Sequence, residues 1–238
     1  MASPPTSPKG ATVRRARGWA DWKVGWGSCP AAGGRVGAGP AGLEAARALG
    51  ARGYRVALAE AGRVLGGRVV REAALPGMRE YIRVRDWREG QIAKMPNVEV
   101  FRESRLTAED IRDFGADHVV IATGARWRRD LFTGKRFAPI AEDRTPVFTP
   151  DDIMDGRLPE GPAVVYDADG YYMGGVIAER LRQAGLEVAL VTPDSKVSAW
   201  AENTGEGWRV PGHLMAQGIA LLTAQELAWF LSLIHISQ

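Results

Sequence analysis

The sequence predicts an α/β chain built from two Rossmann-like lobes, both incomplete. Three observations carry that expectation. Val36 to Arg68 reads as glycine turn, helix, strand and acidic terminus. Residues 161–200 repeat the order strand, turn, helix, strand. Between them, ADHVVIATGA (116–125) is an apolar strand ending in Ala122-Thr123-Gly124. Repeated strand–helix–strand units of this size imply parallel sheets covered by helices.

Each residue type in the first unit has a physical reason. Gly37-Ala38-Gly39-Pro40-Ala41-Gly42 spells GxGxxG. In such a turn the first glycine bends the chain out of its strand. The second lets the backbone approach a pyrophosphate, and the third lets the helix lie close to the sheet. The free N–H groups and positive dipole end of the helix then face the phosphates. Leu43, Ala46 and Leu49 recur at helical spacing, with Gly50 and Gly53 as the expected stop. Val56-Ala57-Leu58-Ala59 is expected to be a parallel strand covered on both faces. Glu60 closes it 18 residues after Gly42, where a dinucleotide fold places a ribose-binding carboxylate. One element is missing from the pattern. Only Arg35-Val36 precedes Gly37, behind a Gly/Ala/Pro run without β-branched content, so the first strand is expected to be absent.

The rest of the chain reads in order. Residues 79–94 form a charged, mostly exposed helix, Val98–Phe101 a strand, and Thr107-Ala-Glu-Asp110 caps a short helix. Residues 116–125 are expected to be a buried strand. The first lobe thus spans 36–135, a connector 136–160, and a second, truncated NAD(P)-like lobe 161–227. In that lobe Asp167 and Asp169 stand where glycines would receive a pyrophosphate. Two carboxylates there repel phosphates, so ordinary NAD(P)H binding is expected to be lost. Gly174 and Gly175 are helix-packing positions, and Tyr171, Tyr172 and Met173 pack at the start of that helix. One more helix and a strand, 219–223, complete the lobe.

Composition sets the outer bounds. The 238 residues are 45% hydrophobic, ample for a core. Residues 1–35 carry six Lys and Arg against Asp21, a surplus of five; with a net charge of +3 overall, the remainder carries −2. The basic character therefore belongs to the leader, and the body has no nucleic-acid footprint. A single cysteine excludes an internal disulfide framework or four-cysteine cluster. No segment is apolar enough to span a membrane, and the location expected is cytoplasmic. His118, His213 and His235 are isolated, so neither a metal site nor a catalytic residue is assigned. In residues 1–35, Gly, Ala, Pro, Arg and Trp supply 23 positions, as out-of-frame translation of GC-rich DNA yields. This leader reads as a wrong-frame extension, with an organellar transit peptide as the alternative. Residues 228–238 read as a translated adaptor tail.

The stretches VGAGPAGLEAARALG, ALPGMREYIRVRDWREGQI, ADHVVIATGARW, FTPDDIMDG and VVYDADGYYMGGVIAERL resemble the C-terminal region of the trimethylamine and dimethylamine dehydrogenases. They are similar also to related iron–sulfur flavoproteins that demethylate N-methylated amines and amino acids such as N-methylproline, within the NADH:flavin oxidoreductase, old yellow enzyme-like group. The resemblance covers about residues 36–227 and implies a glutathione-reductase-like pair of lobes. It further implies a parent with an N-terminal barrel holding FMN and a 4Fe-4S cluster, passing electrons singly to an electron-transfer flavoprotein or exchanging them with NAD(P)H, and assembling as a homo-oligomer. The glycine-rich site of such relatives holds ADP or FAD. Carried across, its contacts are Gly37, Ala38, Gly39, Pro40, Ala41, Gly42, Glu60, Ala61, Gly67, Arg68, Ala122, Thr123 and Gly124. The barrel, the cluster cysteines and the return to the first lobe have no counterpart in these 238 residues, so this piece alone is expected to be inactive. An NADPH-dependent 2,4-dienoyl-CoA reductase-type fragment and a free-standing ADP/FAD-binding module are the alternatives.

Overall fold

The computed structural model describes residues 33–130 and 146–226. Residues 1–32 of the leader, 136–145 of the connector and the tail 228–238 lie outside them. The chain divides into two compact units. Among the described residues, the first takes in 33–70 and 81–124, and the second takes in 71–80, 125–130 and 146–226.

The first unit is a four-stranded parallel sheet in the order β3-β2-β1-β4, with β1 Gly33–Val36, β2 Val56–Ala59, β3 Val98–Phe101 and β4 His118–Ile121. The helix α1, Pro40–Ala51, crosses from β1 to β2. Then come α2, Arg68–Glu72, where the chain passes between the units, α3, Ile82–Ile92, and α4, Ala108–Phe114. The strand expected to be missing is present and central: Gly33 to Val36 pairs with Val56 to Ala59 on one edge and with His118 to Ile121 on the other. Ladder pairing uses backbone N–H and C=O groups, which glycine supplies as well as valine. Two neighbouring strands thus override a weak local propensity.

Strand β2 is buried on both faces, as its apolar run predicts. Val56 and Leu58 join Leu43 and Ala46 of α1 in one core, while Ala57 and Ala59 meet Phe101. Full burial of Leu58 contributes about 1.5–3 kcal/mol. The expectation for β4 does not hold. It is a strand, but an exposed one at the sheet edge, with Ile121 70% exposed. Sequence hydrophobicity reports what a strand is suited to meet, and among the described residues no element covers this one. Gly50 also differs from expectation. It lies inside α1, where an added Cβ would stand 2.4 Å from Val98 Cγ2, so it is a packing position. The helix ends at Ala51, and Gly53, φ +85°, turns the chain away just beyond it. Asn97 seals that end by donating from Nδ2 to the carbonyls of Gly50 and Tyr54.

The second unit holds a three-stranded parallel sheet, β5-β6-β7, formed by β5 Ala163–Tyr166, β6 Val188–Val191 and β7 Ala220–Leu222. Its helices are α5 Pro150–Met154, α6 Met173–Gln183 and α7 Arg209–Ala216. Met173, Ile177 and Leu181 fall on one face of α6 at four-residue spacing and enter the core with Leu190 and Leu214. Leu75 and Met78, from the 71–80 segment, pack into the same core. Asp152 of α5 is buried between Arg129 and Arg157 and closes a capping box with Thr149. Burial alone would raise its pKa, but the bonds from Arg129 and Thr149 outweigh that and hold it at about 2.

Candidate functional site

The glycine turn is built where β1 passes into α1. Gly37, φ +95°, donates its N–H to Ala59 O at 2.8 Å. A Cβ on Gly37 would stand 2.4 Å from Ala122 O, so the turn rests directly on the end of β4. Gly42 lies equally close on the other side: its Cβ would meet Gly37 O at 1.9 Å. Gly39 is the opposite case. It is the N-cap of α1, and a Cβ built there meets nothing within 4 Å. Of the three glycines, two are demanded by packing and one faces open space. That space lies at the N-terminus of a 12-residue helix, where unpaired N–H groups and the helix dipole favour an anion.

Glu60 follows β2 and reaches back into the turn. Its Oε2 accepts from Ala38 N at 2.7 Å and its Oε1 accepts from Gly62 N at 2.9 Å. The carboxylate is therefore held in one place beside the turn. Ala38 itself is fully buried. Gly67, φ +53°, stacks on Gly39, its notional Cβ 3.2 Å from Gly39 Cα. The structure thus brings together Gly37, Ala38, Gly39, Pro40, Ala41, Gly42, Glu60, Gly67 and Ala122. Thr123 and Gly124 follow Ala122 as exposed residues, Ala61 is exposed beside Glu60, and Arg68 is half-buried at the start of α2. Sequence reasoning missed Gly66, which donates to Ala38 O at 2.8 Å and holds φ +106°. The Gly66-Gly67 doublet was its only signal.

In the second unit the turn differs. Asp167 is 4% exposed, and its Oδ1 accepts from the N–H groups of Asp169 and Gly170. Burial first, and then the carboxylates of Asp169 and Asp194, push its pKa up, against the two backbone N–H bonds. Met173 is core, Tyr172 donates to Glu72 Oε2 at 3.2 Å, and the exposed Tyr171 meets the Tyr172 ring edge-on. Among the described residues no group of three or more His, Cys, Asp or Glu gathers as a metal site, and no helix is long and apolar enough to cross a membrane.

Two α/β units, each with its own parallel sheet and the first carrying a glycine turn with a carboxylate anchored beside it, define the two-dinucleotide-fold class. Residues 36–225 match the pyridine nucleotide-disulphide oxidoreductase family, and the chain belongs to it. The chain is 36% identical over 196 residues to dimethylamine dehydrogenase of Hyphomicrobium sp. (strain x), covering 79% of this chain and 26% of that protein. It is 36% identical over 160 residues to a probable N-methylproline demethylase of Rhizobium meliloti (strain 1021), covering 67% and 22%. Among solved structures, histamine dehydrogenase from Rhizobium sp. 4-9 superposes with a TM-score of 0.78 at 48% identity, over 83% of this chain and 31% of that one. The 6-hydroxypseudooxynicotine amine oxidase of Pseudomonas geniculata N1 superposes with 0.82 at 45% identity, over 86% and 31%. These relatives make the family here one of flavin-dependent oxidoreductases that includes amine dehydrogenases and demethylases. The chain spans about a quarter of the length of the curated relatives.

Proposed function

We propose that this chain is the adenine-nucleotide-binding portion of a flavin-dependent oxidoreductase acting on N-methylated amines or amino acids. The observation that carries the reading is Gly39, whose missing side chain leaves an open approach to a helix N-terminus beside the anchored Glu60. The group that fits is ADP or the ADP half of FAD. The N–H groups at the start of α1 receive its pyrophosphate, and Glu60 accepts from its ribose hydroxyls. Gly67 and Arg68 border the phosphates, Ala61 flanks the ribose, and Ala122, Thr123 and Gly124 close the side nearest β4. When bound, FAD supplies hydride-accepting chemistry, whereas ADP supplies only a structural anchor.

The single cysteine does not fit a 4Fe-4S cluster, which needs four thiolates. FMN, the cluster and the substrate pocket accordingly belong to the part of a parent that these residues do not include. In that parent, electrons pass to an electron-transfer flavoprotein or are exchanged with NAD(P)H, in a cytoplasmic homo-oligomer. The NADPH-dependent enoyl reductase reading is disfavoured by the buried Asp167 in the second turn.

The test is direct. The 238-residue chain is incubated with ADP or FAD and desalted, and the nucleotide released on heating is quantified. One adenine nucleotide per chain is the expected result. No retention and no binding isotherm at roughly 1 mM ligand overturns the reading.

A further inference from the structure

The two lobes open identically and then diverge. Asp167 N donates to Val191 O at 2.8 Å, as Gly37 N donates to Ala59 O at 2.8 Å, so the two residues hold equivalent places. From Gly37 the chain enters α1 three residues later, at Pro40; from Asp167 it enters α6 six residues later, at Met173. In the first lobe the helix glycine, Gly42, rests on the backbone of Gly37. In the second the corresponding Gly174 rests on a side chain, since its Cβ would stand 2.5 Å from Asp167 Cγ and Oδ2.

That carboxylate fills the place an anion would take. Two successive backbone N–H groups, of Asp169 and Gly170, converge on Oδ1 at 3.1 and 2.9 Å. Converging amides of this kind form an anion-binding nest. Oδ2 is buried against the first turn of α6 and has no hydrogen-bond partner among the described residues. A group that only repelled phosphate would need no such burial. Gly174 has to be glycine because the carboxylate is there.

We propose that Asp167 is the second lobe's internal occupant of the phosphate seat, and that its side chain is the residue that keeps a dinucleotide pyrophosphate out. Asp169 and Asp194 add a second barrier. The Asp194 carboxylate lies 2.8 Å from where a Gly170 Cβ would be. Charge there opposes an incoming phosphate, but occupancy closes the seat first.

Hydrogen–deuterium exchange of the 238-residue chain with and without NADPH separates the two causes, because residues 167–175 report this lobe alone. The wild-type chain and the double variant Asp167→Asn/Asp169→Asn, which removes both charges but keeps a side chain in the seat, should show no protection there. The double variant Asp167→Gly/Asp169→Gly should show exchange slowed at least about tenfold in 167–175. Protection in Asp167→Asn/Asp169→Asn overturns the proposal, because charge would then be the barrier. A folded Asp167→Gly/Asp169→Gly chain that stays inert overturns it as well. Should that chain fail to fold by circular dichroism, Asp167→Ala with Asp169→Gly replaces it under the same criteria. ADP protection of residues 37–42 is read in the same samples. Its absence counts against the first-lobe reading and leaves this one standing.

Discussion

Gly37, Gly39 and Gly42 share one motif but not one physical reason, and substitution separates them. Gly42→Ala drives a Cβ to 1.9 Å from the Gly37 carbonyl and should lower stability by about 1–3 kcal/mol in urea unfolding. Gly39→Ala, with open space around it, should leave stability within about 0.5 kcal/mol. Two aspartates give opposite pH signatures. Asp152 is held at about 2, below its ordinary 3.8, so the folded state binds fewer protons than the unfolded one in that window. Its stabilisation is present above 3.8 and lost as pH falls through about 2. Asp167 is shifted upward, so its folded state holds the proton more tightly; stability is fullest below 3.8 and falls as pH climbs through the raised value. Asp152→Asn should flatten the acid limb of a stability–pH profile. Asp167→Asn should flatten the decline on the other side and raise stability at neutral pH. The glycine turn and Glu60 were legible in sequence because their spacing is fixed by geometry. That Asp167 turns inward, to be held by its own loop, was not, because a carboxylate's direction depends on which amides the fold presents to it.

At the scale of elements, burial separates strands that look alike. Leu58 of β2 and Ile121 of β4 both sit in apolar runs, yet one is fully buried and the other 70% exposed. Leu58→Ala should cost about 2–5 kcal/mol and Ile121→Ala under about 0.5 kcal/mol, measured as urea midpoints at constant m-value. Elements with internal signals were legible: α1 by its Leu43, Ala46, Leu49 spacing, α4 by the Thr107–Asp110 capping box, and β2 by its uncharged run. Two misreadings share a cause. β1 was discounted for its glycines, and β4 was expected to be buried for its valines. Pairing of β1 is decided by the two strands beside it, and exposure of β4 by what packs on it; neither is written in the strand itself.

At the scale of the whole molecule, each unit carries its own apolar core and its own parallel sheet, and the first holds every residue of the glycine site. Relatives that are amine dehydrogenases and demethylases extend well beyond this chain, so its proposed role is to hold a nucleotide for chemistry carried out elsewhere in a parent. The most direct test of that role is calorimetric titration of ADP into the wild-type chain and into Gly39→Glu. The substitution brings a carboxylate to the open approach, at a position where a Cβ meets nothing within 4 Å. The account predicts one ADP per wild-type chain and affinity weakened at least about tenfold, or about 1.4 kcal/mol, in a variant of unchanged melting temperature. Equal affinity in the two chains would contradict it, because the nucleotide would then bind somewhere other than the glycine turn.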